Sequence, residues 1–240
     1  MNKTYEKEYS LRGSDFDKFD NIKPSAVLDL FQDIASLHAE ILGVGFKDML
    51  ERSYLWVLTR IKFKILSAPK PYENVLVKTW PLKPGRLNYQ REYCICNTMG
   101  EKLIIGSSEW VVIDTENRRL VSAPVLYPFS EGFCEEKMFQ DKLGKIADFT
   151  DEENPYVVNA GFSMIDANNH VNNINYANFS IDALSPERPD VLETFQIDYR
   201  KEVLQGTTLF IHKTKEEKTA LAKGKNDTGD TMFLCKLEYK

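Results

Sequence analysis

The densest polar stretch of the chain is Asp166-Ala167-Asn168-Asn169-His170-Val171-Asn172-Asn173-Ile174-Asn175-Tyr176. It holds an acid, several amides and one of three histidines in 240 residues, the others being His38 and His212. A carboxylate and an imidazole held together move protons near neutral pH, and an amide beside them can orient a water or a carbonyl. Part of the stretch has a plainer use, because Asn is a good N-cap and one or two amides suffice for the free N–H groups that open a helix. Capping does not require Asp, Asn and His at 166, 168 and 170. In an extended lead-in that spacing sets three side chains on one side of the backbone, where they converge on one small volume.

The remaining reactive residue types have structural readings. His38 lies on an apolar helical stripe and reads as a hydrogen-bonded core residue, and His212 follows Leu209-Phe210-Ile211 as a strand residue facing solvent or a neighbour. Trp56, Trp80 and Trp110 fall in predicted strands and are expected to pack a sheet. Cys94, Cys96, Cys134 and Cys235 form no CxxC pair and read as reduced packing thiols. With no Cys or His cluster at ligand spacing, neither a metal nor an organic cofactor is expected.

The apolar pattern shows what must position the polar stretch. Alternation predicts strands at Tyr54–Leu66, Val75–Trp80, Leu87–Cys96 and Leu103–Ile113, closed by turns such as Ala68-Pro69, Lys83-Pro84-Gly85 and Asn97-Thr98-Met99-Gly100. Between Pro24 and Gly43 the period changes: Val27, Phe31, Ile34, His38 and Ile41 form one stripe of a helix opened by Pro24 and stopped near Gly43 and Gly45. A first strand precedes that helix. The order returns after a charged, breaker-rich segment, Thr115–Glu153, that includes Pro124 and Pro128. A strand at Tyr156–Phe162 leads to a helix from Val171 to Leu184 stopped by Pro186, then to strands at Thr194–Val203, Thr207–Lys213, Thr219–Lys225 and Met232–Lys240.

Sliding the sequence along itself brings out a weak repeat. At an offset of 149, Asp17-Lys18-Phe19-Asp20-Asn21-Ile22 overlies Asp166 to Val171; at 129, Asn97 to Gly100 overlies Asn226 to Gly229, and Glu109-Trp110 overlies Glu238-Tyr239. The longer first helix and the turn after it are expected to absorb most of the difference. Two copies of strand, helix and antiparallel strands imply an α+β chain of two tandem hotdog units, each a central helix wrapped by a curved antiparallel sheet. Two unrelated α+β domains are the competing reading. The expected division is 1–130 for the first unit, 131–153 for a linker and 154–240 for the second. Opposite Asp166, Asn168 and His170 the first copy has Asp17, Phe19 and Asn21, so it keeps the acid and loses the amide and the imidazole.

Composition narrows the partners. At 42% hydrophobic and 28% charged the chain is globular rather than disordered, and 31 basic against 36 acidic residues give a net charge of −5. That balance removes the general attraction on which nucleic-acid binders rely. No apolar run approaches the ~20 residues of a membrane span, and the opening MNKTYEKEYS lacks the apolar core of a signal peptide, so a cytoplasmic chain with no membrane or nucleic-acid partner is expected.

Asp-x-Asn-x-His-Val-Asn-Asn, followed by Tyr176 and later by Tyr199-Arg200-Lys201-Glu202, resembles the signature of the acyl-acyl carrier protein thioesterases of the plant and bacterial fatty-acid type. Leu37-His38-Ala39-Glu40, Gly43-Val44-Gly45 and Trp56-Val57-Leu58-Thr59-Arg60 resemble the N-terminal half of the same family. The resemblance implies a tandem hotdog hydrolase, a catalytic set of Asp166, Asn168, His170 and Glu202, and an acyl carrier protein bearing a fatty acyl chain as partner. Its product is a free fatty acid, whose release ends chain elongation. The plant pattern often has Cys after the Glu; here Val203 carries no nucleophilic atom, which leaves acid–base activation of water. Either Asp166 or Glu202 is the base, Asn168 orients the water or the carbonyl, and His170 donates to the oxyanion or relays a proton. A helix opening near Val171 offers free N–H groups to the thioester oxygen.

Several alternatives stand beside that reading. Glu202 has a bland use as an exposed ion pair with Lys201 or Arg200. The lysines from Lys213 to Lys225 form either a solvated hairpin or a landing surface for an acidic carrier protein. An acyl-coenzyme A thioesterase, a dehydratase or hydratase on the same fold, and a non-catalytic acyl-binding module are the competing functions. The first copy is expected to supply the acyl pocket, with Ala26, Phe31, Ile34 and Ala35 setting chain length, and a homodimer is an assembly open to such a chain. His170→Ala, Asp166→Asn and Glu202→Gln are each expected to lower kcat for thioester hydrolysis by roughly 100- to 10,000-fold, whereas Val203→Ala leaves the chemistry intact in the same steady-state assay.

Overall fold

Among the described residues of the computed structural model, which are 3–122, 126–127, 129, 131–150, 154–188 and 190–240, ten strands and three helices form. Pro124, Pro128 and the last linker residues 151–153 lie outside them. The first half contains β1 (Tyr5–Ser10), α1 (Pro24–Ile41), α2 (Phe46–Glu51), β2 (Tyr54–Ile65), β3 (Asn74–Pro81), β4 (Tyr89–Asn97) and β5 (Lys102–Asp114). The second contains β6 (Tyr156–Asn159), α3 (Asn173–Leu184), β7 (Leu192–Tyr199), β8 (Thr208–Glu216), β9 (Thr219–Lys225) and β10 (Thr231–Tyr239). The strands pair antiparallel in one sheet of order β1-β3-β4-β5-β2-β7-β10-β9-β8-β6. Equating β1 with β6, β3 with β8, β4 with β9, β5 with β10 and β2 with β7 makes that order identical from either end. The sheet is therefore two five-stranded units fused through β2 and β7, the tandem hotdog expected from the repeat.

The repeat holds bond by bond. Asp17 N–H donates to the Asn21 carbonyl at 2.8 Å and Asp166 N–H to the His170 carbonyl at 2.9 Å, while Asp20 and Asn169 take φ of 64° and 63°. In the later turns Gly100 and Gly229 have φ of 85° and 81°, and each N–H donates at 3.0 Å to the carbonyl of Asn97 or Asn226. Leu66 and Ser67 donate to the Leu103 carbonyl as Arg200 and Lys201 donate to that of Met232. This register sets Glu202 opposite Ala68, so the first copy lacks the downstream acid as well.

The halves differ in their helices. α1 has 18 residues and α3 has 12; α1 starts at Pro24, buries Val27, Phe31, Ile34 and His38, and gives way to Gly43 with φ of 69°. Its six-residue follower α2 has no counterpart after α3 and is too short to show a period in the sequence. α3 begins at Asn173 rather than Val171, because Val171 N–H is committed to the Val203 carbonyl at 2.8 Å and Asn172 caps the helix by accepting Ile174 N–H at 3.0 Å. It ends at Ser185 in a left-handed conformation, one residue before the expected Pro186 stop. The strand expected to reach Phe162 stops at Asn159 and is followed by a 3-10 turn at Phe162–Met164. The strand expected to reach Val203 stops at Tyr199, freeing Glu202 into a loop.

Phe63 and Phe195 stack at 5.2 Å across the β2–β7 seam, and Phe31 stacks on Tyr93 at 4.3 Å. Phe31 also covers Gly106, where a Cβ would come within 2.3 Å of its ring. On the opposite face the segment expected to be a linker lies packed against the sheet as a strap, with Leu143 and Ile146 buried. Of the lysines expected in a solvated hairpin, Lys223 is buried and donates to Asp148 Oδ1 at 2.7 Å and to the Phe149 carbonyl at 2.8 Å, and Lys215 pairs with Asp190 at 2.7 Å. Glu92 is also under the strap, accepting from Met138 N–H at 2.9 Å and Ser107 Oγ at 2.8 Å, and burial raises its pKa.

One charge pair ties both halves and the strap together. Arg60 on β2 donates to Asp198 on β7 through Nε at 2.6 Å and Nη2 at 3.2 Å, and Nη1 reaches Glu109 at 2.7 Å and the Leu143 carbonyl at 3.0 Å. Asp198 Oδ2 in turn accepts Ile146 N–H at 3.0 Å. Both Arg60 and Asp198 are buried, so removing either partner strands the other charge away from water. Arg60→Met and Asp198→Leu are each expected to cost about 3–5 kcal/mol in denaturant unfolding, and the double substitution less than their sum.

Candidate active site

Asp166 opens a tight turn rather than an extended run. Asn169 N–H donates to the Asp166 carbonyl at 3.0 Å, and Asn168 N–H donates to Asp166 Oδ1 at 2.8 Å. The convergence expected from alternation is thus achieved by a turn that folds residue 170 back over residue 166. Asp17 makes the corresponding bonds in the first copy, its carbonyl accepting from Asp20 N–H at 3.1 Å and its carboxylate from Phe19 N–H at 2.8 Å, and its carboxylate also accepts Asn21 N–H at 3.0 Å. The acid retained in both copies has a backbone duty in both, and one Asp166 oxygen remains beyond that bond.

After the turn, His170 bridges to Leu204 and carries the chain alongside the loop that follows β7. His170 Nε2 lies 3.2 Å from Glu202 Oε2, with side chains 26% and 48% exposed. The expected alternatives for Glu202 do not form: Lys201 pairs with Asp230 at 2.9 Å, and Arg200 turns to Asp198 at 3.5 Å. Two tyrosines hold the surrounding backbone. Tyr199 donates to the Asn173 carbonyl at 3.0 Å, and Tyr176 hydrogen-bonds the Val203 backbone, its phenol raised by burial. Val203 itself is buried in the core.

Asp166, Asn168, His170 and Glu202 all line one cleft of about 550 Å³. Asp166, Asn168 and Asn173, with Leu55, Trp56 and Leu58 of β2, also border a second cavity of about 260 Å³ that runs into the first half. Its walls include Ala35 and Ala39 of α1, Met49 of α2, Tyr89 of β4 and Trp110 of β5. Of the four residues expected to tune it, only Ala35 borders it; Ala26, Phe31 and Ile34 face the main core. Trp56 and Trp110 line the cavity instead of serving only the sheet, while Trp80 packs beneath the strap. His38 is fully buried beside Arg91, as its place on the stripe implied. Tyr89, Arg91 and Gln32 of this wall were missed because their types and spacing carry no periodic signal.

Two family models match the chain, Acyl-ACP thioesterase N-terminal domain over residues 2–125 and Acyl-ACP thioesterase C-terminal domain over residues 148–239. The chain belongs to the acyl-ACP thioesterase family. It is 28% identical to the palmitoyl-acyl carrier protein thioesterase, chloroplastic, of Cuphea hookeriana over 82% of its own length and 51% of that protein's. It is 25% identical to oleoyl-acyl carrier protein thioesterase 1, chloroplastic, of Arabidopsis thaliana over 94% of this chain and 70% of that protein. The chain thus spans about half the length of the first of these relatives. Its fold is similar to that of an acyl-ACP thioesterase from Bacteroides thetaiotaomicron, with a TM-score of 0.83 at 23% identity over 99% of this chain and 98% of that one. The 12:0-ACP thioesterase from Umbellularia californica gives a TM-score of 0.83 at 19% identity over 100% and 98%.

The cavity wall separates two classes of substitution. Ala35→Phe is expected to shift the free-fatty-acid profile of producing cells toward shorter chains. Phe31→Leu is expected to lower stability by about 1 kcal/mol and to leave that profile unchanged.

Proposed function

We propose that this chain hydrolyses the thioester of fatty acyl-acyl carrier protein, releasing the free fatty acid and ending chain elongation. The observation that carries the reading is the His170–Glu202 pair in a cleft that shares Asp166 and Asn168 with a partly open cavity lined in large part by apolar side chains of the first half. Membership of the family supports this substrate class. In this reading the acyl chain occupies the cavity of the first half, and the thioester lies at the junction, where Asp166 and Asn168 border both spaces. With Nε2–H donating a hydrogen bond to Glu202, neutral His170 keeps Nδ1 free to take a proton from water. Hydroxide adds to the carbonyl carbon, Asn168 donates to the oxyanion, and collapse expels the thiolate, which receives the proton. The second oxygen of Asp166 holds the attacking water.

The division of labour follows from the repeat: the second unit supplies the polar groups and the first, with the longer helix, the chain pocket. The partner is an acyl carrier protein bearing the substrate. No helix among the described residues is long and apolar enough to cross a membrane. A cytoplasmic location belongs to the same proposal, supported by four cysteines that are free thiols.

Purified protein given matched acyl chains on acyl carrier protein and on coenzyme A is expected to release free thiol faster from the carrier protein. A strong preference for coenzyme A would reassign the carrier, and conversion of a 3-hydroxyacyl substrate to an enoyl product would reassign the reaction. Glu202→Gln is expected to lose roughly 100-fold or more in kcat while chain-length preference stays the same, because the pocket lies in the other unit.

A further inference from the structure

The β4 wall of the cavity carries two groups that an all-hydrocarbon occupant leaves unsatisfied. Tyr89 and Arg91 stand two residues apart on β4, hence on one face of the sheet, and both are buried and line the cavity. Arg91 Nη1 lies 3.1 Å from His38 Nδ1 and 3.3 Å from Thr79 Oγ1, and the Tyr127 hydroxyl also hydrogen-bonds the guanidinium. An imidazole that accepts from a guanidinium is uncharged, so all three partners are neutral, and they use three of the five N–H donors. Among the described residues no carboxylate pairs with Arg91. Glu40, which also borders the cavity, is exposed and occupied in accepting Phe46 N–H at 3.0 Å. Tyr89 is the second group: among the described residues its hydroxyl is the buried side-chain polar atom with no hydrogen-bond partner.

Buried charges are ordinarily paired and buried hydroxyls ordinarily bonded, so two exceptions on one cavity wall point to a ligand that supplies an acceptor. β4 lies two strands from β2, whose Leu55, Trp56 and Leu58 border both spaces; at ~4.8 Å per strand the pair sits roughly 10 Å from the junction. We propose that the cavity selects acyl chains bearing an oxygen at the far end, a hydroxyl or a carboxylate, held by Arg91 and Tyr89. The identity of the chain as an acyl group rests on the hydrolase reading; the occupancy of the cavity does not.

Trp56 and Trp110 line the cavity, so their fluorescence reports binding without turnover. Methyl esters block the head of the ligand, leaving only the far end to seat on Arg91. The ω-hydroxy and ω-carboxy forms of a medium-chain methyl ester are expected to bind about tenfold or more tightly than the plain ester of equal length, as a hydrogen bond to a charged group implies. Tyr89→Phe keeps the shape, removes only the unpaired hydroxyl and shrinks the preference severalfold; Arg91→Met abolishes it. Equal affinity for the three esters overturns the proposal, as does a preference untouched by both substitutions. Hydrolysis of acyl-carrier substrates run in parallel separates the two readings. Turnover with no preference for oxygenated chains sinks this proposal alone, and no turnover with the fluorescence preference intact sinks the hydrolase reading alone.

Discussion

The seam between β2 and β7 is the constraint on which the rest of the molecule depends. Two five-stranded units would each expose a central strand edge there, and pairing those edges satisfies the backbone of both. The aromatic pair Phe63 and Phe195 fills the helix side of the seam, and Arg60 with Asp198 fills the other. A buried charge pair contributes little net stability over an apolar replacement, so its value here lies in what it organises. Arg60 and Asp198 each also bind the strap backbone, which positions the segment that covers the sheet. A pair made of one residue from each copy suits a fused chain, in which the two sides of the seam need not be the same.

That freedom to differ allows unlike side chains at matched positions of a nearly symmetric backbone. The same turn, with the same left-handed residue and the same carboxylate-to-amide bond, occurs in both copies. In the first copy the positions beyond Asp17 carry Phe19, Asn21 and, across the loop, Ala68; in the second they carry Asn168, His170 and Glu202. The extra length of α1 and the addition of α2 enlarge the space beside β2, β4 and β5, which becomes the cavity. The cavity is lined mostly by the first copy and the polar cleft mostly by the second, and the two share Leu55, Trp56, Leu58, Asp166, Asn168 and Asn173 as a common wall.

Much of the fold was legible because burial on one face of a strand or helix imposes a period. The predicted strands of the first half end within two residues of the observed ones, and the 149 and 129 offsets reappear as matched hydrogen bonds. The failures have local causes. α2 is shorter than two helical turns, α3 starts late because Val171 is committed to Val203, and Lys223 is neutralised by Asp148 from a distant segment. Phe31 and Ile34 looked like pocket residues because a stripe shows that a face is buried without showing what buries it. Gly106 and Tyr93 bring the core up to Phe31, while small side chains on the adjacent face leave the cavity open.

By itself the sequence determined the residue types available for chemistry, the duplication, and which copy retained the histidine, since each is carried by local identity and spacing. Only the tertiary structure decided that His170 meets Glu202, that Asp166 and Asn168 border both cleft and cavity, and that Arg91 and Tyr89 line the cavity from β4. These relations join residues separated by a helix, a strand or half the chain. They depend on the register of β2 against β7 and on strand spacing, which no pattern within a single segment encodes.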